Sequence, residues 1–458
     1  MNGLADEIGA LVASEVNQFV TLLTDMDDDH DVFSVVEDMA RDLGQRISQA
    51  LIQASVDSAG VCDVGPSTPC GCGHQARRVQ VRGKTIATMT GPIRVSRTWY
   101  HCDQCHGGFA PLDGRLGVGA TMSPALVKAC TLTGMEMPFA RGVDFIGQVT
   151  GISLRSAKTV DRVTRRVGQD AQTRLEAEAQ AVKAHRLIGL PPAGVNVGYV
   201  AMDGTGAPMV PSETVGRPGK GPDGRAHTRE VKLATLFTQT CFDTDGQPII
   251  DEGSASYVST FHDVEGFKTD VGVEVIRRGF NQLRRIVILG DGAKWIWGLA
   301  DTLFPNQPQI VDWYHGAEHV HRLADIVETT LDDKATWVQA RLNDLEAGNT
   351  QAIKTAVALL NLPSHTARQA GIEVDYFITN HHRMQYAHFK KKGYFIGSGA
   401  VEGSCKSIVA QRAKQAGMRW TIAGLAPILT LRALHRTTNR DPLIWDKNPS
   451  QTTLPTAA

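Results

Sequence analysis

The chain lacks any uninterrupted apolar run of the roughly 18 residues that a membrane-spanning helix needs, which argues against a membrane protein. It also lacks a signal or transit segment at its start, because the N-terminus is acidic where such segments carry positive charge. Basic residues are nearly missing from the first 66 positions, which hold Arg41 and Arg46 against thirteen acids, a local balance of −11. Cysteines are few, eight in all, and only four of them cluster. Together these absences predict a soluble, cytoplasmic chain.

What is present fits a folded chain of several parts. At 458 residues the length allows about three domains of roughly 150 residues each. A hydrophobic content of 42% with 45 glycines suits a globular protein with a real core. The formal net charge of −1 hides an asymmetry: beyond residue 66 the chain carries 45 basic and 35 acidic residues, a balance of +10. A basic body behind an acidic N-terminal module suits a nucleic-acid partner.

The chemistry centres on residues 197–210. An apolar run, Tyr199 to Met202, ends in one acid, Asp203, followed by Gly204, Thr205 and Gly206. Apolar residues resume to Val210, and Pro211 ends the run. This pattern predicts a strand buried on both faces that carries a carboxylate. A buried carboxylate without a partner is costly, so a basic group or a metal ion is expected beside it. The glycines let a bulky ligand come close. An acid that caps a turn at a strand end is the other reading of this motif alone. Residues 284–291 repeat the pattern, with Asp291 at the strand end and a helix opening near Lys294. Glu402, within Gly397-Ser-Gly-Ala-Val-Glu-Gly403, leads into a basic helix. Two acids at strand ends and one on a later helix can hold two divalent metals. Oxygen ligands suit Mg2+ (or Mn2+), and paired ions clamp the attacking and leaving oxygens of a phosphodiester.

Upstream, residues 1–59 read as an acidic helical region. Leu4, Ile8, Leu11, Val12, Val16, Phe19 and Leu22 recur at helical spacing, residues 25–31 form a break, and a second amphipathic helix follows from Phe33 to Ile52. Such a pair either packs as core or joins copies of the chain. Residues 60–115 read as a zinc ribbon. Cys70-x-Cys72 and Cys102-x2-Cys105 flank β-like stretches at 77–81, 85–89 and 93–100, with turns at Arg82-Gly83 and Gly91-Pro92. Paired short spacings in such a chain favour structural zinc over disulfides, four thiolates closing a tetrahedral site. The tight first pair leaves room for His74 to replace one thiolate. Cys62, Cys130, Cys241 and Cys405 read as free thiols, and Arg77, Arg78, Arg82, Arg94 and Arg97 make the ribbon basic.

Residues 120–190 read as a helix-turn-helix region. A helix begins at Phe139, a tight turn follows at Gly151, and a second helix runs over 154–167 with Ser153 as its N-cap. Arg155, Lys158, Arg162 and Arg165 give that helix a basic face suited to a DNA major groove. Pro191-Pro192 marks a domain boundary.

Residues 195–436 then give the order β-β-β-α-β-α-β-α, that of an RNase H-like core, with Asp203 on the first strand and Asp291 ending the fourth. A loop at 212–228 and the residue after it carry Arg217, Lys220, Arg225 and Arg229, which suit either phosphates or a hairpin tip. Asp312 and His315 close the fifth strand and are expected in supporting active-site roles. From about 315 to 395 the pattern is helical, an all-helical insertion ahead of Glu402. Lys406, Arg412, Lys414 and Arg419 favour an anionic DNA substrate over a small acid. Residues 437–458 read as a flexible tail.

Taken together these motifs resemble the ISKra type of bacterial insertion-sequence transposase, within the DDE superfamily. The matching pieces are Cys70-Gly-Cys72-Gly, Tyr100-His-Cys-Asp-Gln-Cys105, Met202-Asp-Gly-Thr-Gly206, Gly290-Asp-Gly-Ala-Lys-Trp295, Asp312-Trp-Tyr-His315, Gly397-Ser-Gly-Ala-Val-Glu-Gly403 and Arg412-Ala-Lys-Gln-Ala-Gly-Met-Arg-Trp420. Their order and spacing, over about residues 60–436, carry the resemblance. It implies an α/β chain whose RNase H-like catalytic core holds Asp203, Asp291 and Glu402 as a triad with two Mg2+ or Mn2+ ions. The implied activity is cutting transposon ends and joining the freed 3′-OH to target DNA. The expected partners are double-stranded DNA and further copies of the chain, in a nucleoid-associated cytoplasmic setting. Two other functions fit parts of the sequence. A domesticated, non-catalytic DNA-binding regulator would use only the ribbon and the helix-turn-helix. An actin-like or sugar-kinase ATPase would use Asp203-Gly-Thr-Gly as a phosphate loop, but it needs a duplicated core and a second glycine-rich loop, which the sequence lacks.

Overall fold

The computed structural model describes residues 2–24, 32–117, 121–219 and 224–445. The break expected at 25–31, Lys220 and residues 446–458 of the expected tail lie outside the described residues. Residues 437–445 are not a flexible tail: Thr437 and Ile444 are buried, and Arg440 pairs with Glu178. The chain divides into two compact units, residues 1–164 and 165–458. Among the described residues no helix is long and apolar enough to cross a membrane.

The first unit opens with two helices, α1 (Asn2–Thr24) and α2 (Val32–Ser58). A four-stranded antiparallel sheet follows in the order β1 (Ser67–Pro69), β2 (Gln75–Thr88), β3 (Gly91–His101), β4 (Gly108–Phe109). Along β3 burial alternates, Ile93 and Val95 inward with Arg94 and Ser96 outward, as one wetted face requires. Ile86, Ile93, Val95 and Leu112 form the core here, and Val56 and Ala59 from the end of the α2 region pack against it. Gln49 and Gln53 of α2 donate to the carbonyls of Pro92 and Arg94, each at 2.8 Å. The acidic helical region and the ribbon therefore share a core. The turn expected at Arg82-Gly83 is absent: β2 runs through it, paired Arg82↔Arg97 and Gly83↔Ser96. A long partner strand supplies ladder hydrogen bonds that outweigh glycine's weak strand preference.

After α3 (Pro111–Arg115) come α4 (Pro124–Glu136), α5 (Phe139–Thr150) and α6 (Ala157–Lys183). Ser123 caps α4 by accepting from the Leu126 N–H, with Pro124 at the first helical position. Gly151 ends α5 at φ 67, a left-handed C-cap that favours glycine. The next helix starts at Ala157, so Ser153 is not its N-cap; residues 152–155 are irregular backbone between the two helices. Leu126, Cys130, Ile146 and Val160 form the buried centre of this helical part. Gly134 allows the close approach, since a Cβ there would stand 2.0 Å from Thr164 Oγ1.

The second unit is built on a five-stranded mixed sheet. Its elements are β5 (Val197–Pro208), β6 (Thr228–Gln239), β7 (Ser256–Thr260), α7 (Val264–Arg277), β8 (Arg285–Gly290), α8 (Lys294–Leu303) and β9 (Gln309–Val311). The spatial order is β7-β6-β5-β8-β9. Strands β5, β8 and β9 run parallel, while β6 is antiparallel to both β5 and β7. The central strands are buried on both faces, which is why Tyr199 to Met202 and Ile286 to Leu289 are continuous apolar runs.

Five helices occupy the stretch expected to be an insertion: α9 (Trp313–Val327), α10 (Lys334–Glu346), α11 (Thr350–Ala358), α12 (Ser364–Thr379) and α13 (Tyr386–Lys391). Then α14 (Gly399–Ser404) passes through a π-helical turn, Cys405–Ala410, into α15 (Gln411–Ala413). Two last helices are α16 (Ile422–Arg436) and α17 (Pro442–Trp445). A π turn displaces main-chain carbonyls from their usual partners. Arg432, fully buried on α16, meets that need: its Nε donates to the Ile408 carbonyl at 2.8 Å and its Nη2 to that of Ser407.

Candidate metal centres

The ribbon brings its four clustered cysteines to one point. Their Sγ atoms lie within 4.8 Å of one another, with Cys70–Cys105 and Cys72–Cys102 each at 3.6 Å. Sulfurs around a tetrahedral zinc stand roughly 3.8 Å apart, as Zn–S bonds of about 2.3 Å require. The set thus fits a structural metal such as zinc. The N–H groups of Cys105 and Gln104 hold the Cys102 thiol down to about 6, while the Cys72 thiol, despite the His74 N–H, is pushed up to about 12 by burial and its three neighbours. His74 Nδ1 stands 3.6 Å from Cys72 Sγ, outside the group of four. Much of the ribbon's basic charge is already partnered. Arg97 and Lys84 converge on Asp113 (3.0 and 3.3 Å), Arg77 pairs with Asp103, Arg78 with Asp63, and Arg82 stacks on Trp99.

In the second unit the strand register builds a row of acids. Met202 pairs with Gly290, and Gly290 with Val311. Asp203, Asp291 and Asp312 each stand one residue further on, side by side where the parallel pairing of β5, β8 and β9 ends, with neighbouring strands spaced by roughly 4.8 Å. Asp203 itself lies within β5, which runs on to Pro208. The Asp312 N–H continues this ladder onto the Gly290 carbonyl at 2.8 Å. The three acids are used differently. Asp312 is buried, 5% exposed; its Oδ1 accepts the His315 N–H at 2.8 Å, capping α9, and its Oδ2 accepts the Ser398 N–H. It therefore fastens the Gly397 turn to the sheet. Asp291 Oδ1 accepts the local Ala293 N–H at 2.9 Å.

Asp203 accepts the Gly204 N–H at Oδ1 (2.6 Å) and the Cys405 thiol at Oδ2 (3.3 Å). Burial pushes its carboxyl above the usual range; the thiol and the Gly204 amide pull it back, the neighbouring Asp291 charge raises it again and His315 lowers it. These influences show that Asp203, Asp291 and His315 share one electrostatic environment. Oxygen donors on a partly buried anion are a chemical fit to a hard divalent cation.

Glu402 sits on α14, one helical turn before Cys405, and its charge is felt at that thiol. Its side chain is 58% exposed and its Oε1 contacts Lys406 Nζ at 2.6 Å. Among the described residues the four cysteines are the one group of three or more potential ligands drawn within 4.8 Å. The oxygens of Asp203, Asp291 and Glu402 are not closed to that spacing.

The expected DNA-contacting cations divide. Lys158 and Arg162 are exposed along the start of α6, and Arg155 is exposed in the irregular stretch just before it. Arg165 is half-buried, its Nη1 only 3.0 Å from where a Cβ on Gly424 would stand. Lys406, Lys414 and Arg419 are exposed, and Lys414 Nζ reaches Thr205 Oγ1 at 2.6 Å, two residues from Asp203. Arg412 corrects the expectation. It is fully buried, its guanidinium 4.8 Å from the Trp420 ring centre, so it packs the core and does not face a phosphate. Three residues near the acids escaped sequence reasoning: Cys405, Tyr376 and Tyr386. Their contacts to Asp203, Asp291 and Val311 span 75 or more residues and leave no local pattern. No family model matches the sequence, and no curated protein matches it.

Proposed function

We propose that the chain is a metal-dependent DNA transposase of the DDE kind, with an RNase H-like core in its second unit. The observation that carries this reading is the in-register row of Asp203, within β5, and Asp291, one residue past β8, with Glu402 on α14 one turn from the Cys405 thiol that meets Asp203. The order β7-β6-β5-β8-β9, with β6 antiparallel to both its neighbours and β5, β8 and β9 mutually parallel, supports the RNase H-like assignment. Exposed Lys406, Lys414 and Arg419 around the row favour a polyanionic substrate. In the first unit, a zinc-closed ribbon and the exposed cations at the start of α6 would bind duplex DNA.

Two Mg2+ or Mn2+ ions, when bound, would supply charge stabilisation at the attacking and leaving oxygens of a phosphodiester. The chain's own part is to present Asp203, Asp291 and Glu402 as anionic ligands, to hold the Gly397 turn through Asp312, and to place His315 next to Asp203. Closing the set needs Glu402 to leave Lys406 and swing toward Asp203.

The test is cleavage of DNA carrying the inverted repeats that flank the gene. The purified chain should nick at the repeat ends in Mg2+, and Asp291→Ala should lose nicking while keeping DNA binding. Binding without any nicking in Mg2+ or Mn2+ would overturn the enzyme reading and favour a DNA-binding regulator.

A further inference from the structure

The helical insertion lays two phenols on the ends of the central sheet. Tyr376 on α12 donates to the main-chain carbonyl of Asp291 at 3.0 Å. Tyr386, at the start of α13, donates to the carbonyl of Val311 at 3.0 Å, the residue before Asp312. Each phenol is met by a glycine. Gly292 has φ 98, and a Cβ on it would stand 2.5 Å from Tyr376 Oη; a Cβ on Gly316 would stand 3.0 Å from Tyr386 Oη. Tyr376 is itself held. The His319 ring lies on its face, with centroids 3.5 Å apart and planes 14° from parallel, and His319 Nδ1 is 2.5 Å from Glu373 Oε2. That pair is largely shielded from solvent.

The two tyrosines serve different carboxylates. The Asp312 carboxylate is consumed by the His315 and Ser398 N–H groups, so the bond to Val311 supports fold alone. The Asp291 carboxylate accepts one local N–H, that of Ala293 at 2.9 Å, and so moves with its own turn. Its direction depends on the peptide between Asp291 and Gly292, and glycine leaves that peptide free to rotate on one side. A hydrogen bond to the Asp291 carbonyl removes this freedom.

We infer that Tyr376 is a positioning residue for Asp291: held by the His319–Glu373 pair, its hydroxyl fixes the 291–292 turn so that the carboxylate faces Asp203. The helical insertion thereby sets the divalent-cation affinity of the row. This rests on reading the row as a cation site. Partners one shell out from a metal ligand change affinity by about 10–100-fold.

Manganese titrated into the full-length protein, followed by the electron paramagnetic resonance of the free ion, reads the row without any DNA. The wild type should bind manganese, and Asp291→Ala should lose that binding. Tyr376→Phe removes only the hydroxyl and should weaken binding about tenfold. Tyr386→Phe removes a bond of the same kind one strand away; it should lower the thermal midpoint comparably and leave manganese affinity unchanged. Wild-type affinity in Tyr376→Phe overturns the inference and leaves the cation site standing. Equal weakening in both tyrosine variants also overturns it, because that marks a general loosening of the sheet. No binding by the wild type, or binding that survives Asp291→Ala, overturns the site reading and the inference together.

Discussion

The thiol cluster of the ribbon and the carboxylate row of the central sheet make a pair of opposites. Cys70, Cys72, Cys102 and Cys105 are already gathered at the spacing a tetrahedral ion wants. Asp203 and Asp291 lie side by side on neighbouring chain segments, but Glu402 faces Lys406 instead. Charge explains the difference. Thiols tolerate close sulfur contacts, whereas carboxylates repel one another, and Glu402 pairs with a lysine. A site that holds the fold together is best preassembled. A row that, on the proposed function, admits a substrate and its ions is better left a member short, so that closing it can depend on both.

The largest expected effect breaks the first half of this contrast. Cys102→Ser, or removal of metal by a strong chelator, should release the ribbon's zinc and unfold the β2–β3 hairpin. Binding free energy on the order of 10 kcal/mol is folding free energy in such sites. Hydrogen exchange of β2 and β3 measures it, and full protection after chelation would show that the cluster is not the clamp.

A smaller effect of opposite sign belongs to the second half. Asp203→Asn should abolish metal-dependent cleavage and yet raise the melting temperature. Burial holds the Asp203 carboxyl above its ordinary range, so the folded state favours the protonated form. Ionisation therefore costs stability as pH rises through the ordinary carboxylate range and beyond, and a neutral amide escapes the cost. A gain of about 1 kcal/mol is expected at pH 8, shrinking as pH falls toward 4. Melts across that range in metal-free buffer check it, and an unchanged or lower midpoint would mean that the charge is already compensated.

The smallest effect sharpens the contrast at its open member. Lys406→Ala frees Glu402 and should tighten manganese binding about two- to fivefold, because both groups are well exposed and such pairs contribute little. Weaker binding in that variant would show Lys406 assisting the site instead of competing for it.

Much of this arrangement was legible in the chain because its signals are local. An apolar run ending in an acid needs only a handful of residues, and it located Asp203 on the first strand of the sheet and Asp291 just past the end of β8, although β5 continues beyond Asp203 to Pro208. The helical stretch before Glu402 and the Gly151 turn were legible for the same reason. Arg82-Gly83 misled, since a turn signal yields to a long pairing partner that lies beyond any local window. Arg412 misled because a basic residue after a carboxylate looks like a phosphate ligand, and only packing shows Trp420 lying across it. The contacts of Cys405 and Tyr376 were invisible, as a hydrogen bond between distant residues writes no periodicity.

The π turn at Cys405–Ala410 carries one more residue than a regular helix would use, and Arg432 keeps that surplus in place. Each residue of an α-helix turns the chain by about 100°. Deleting a single position there would let the backbone straighten into an ordinary helix, tidier and no less hydrogen-bonded. It would also spin Glu402 by roughly a quarter of a revolution relative to everything downstream. The local irregularity thus acts as a phase setting for the third acid.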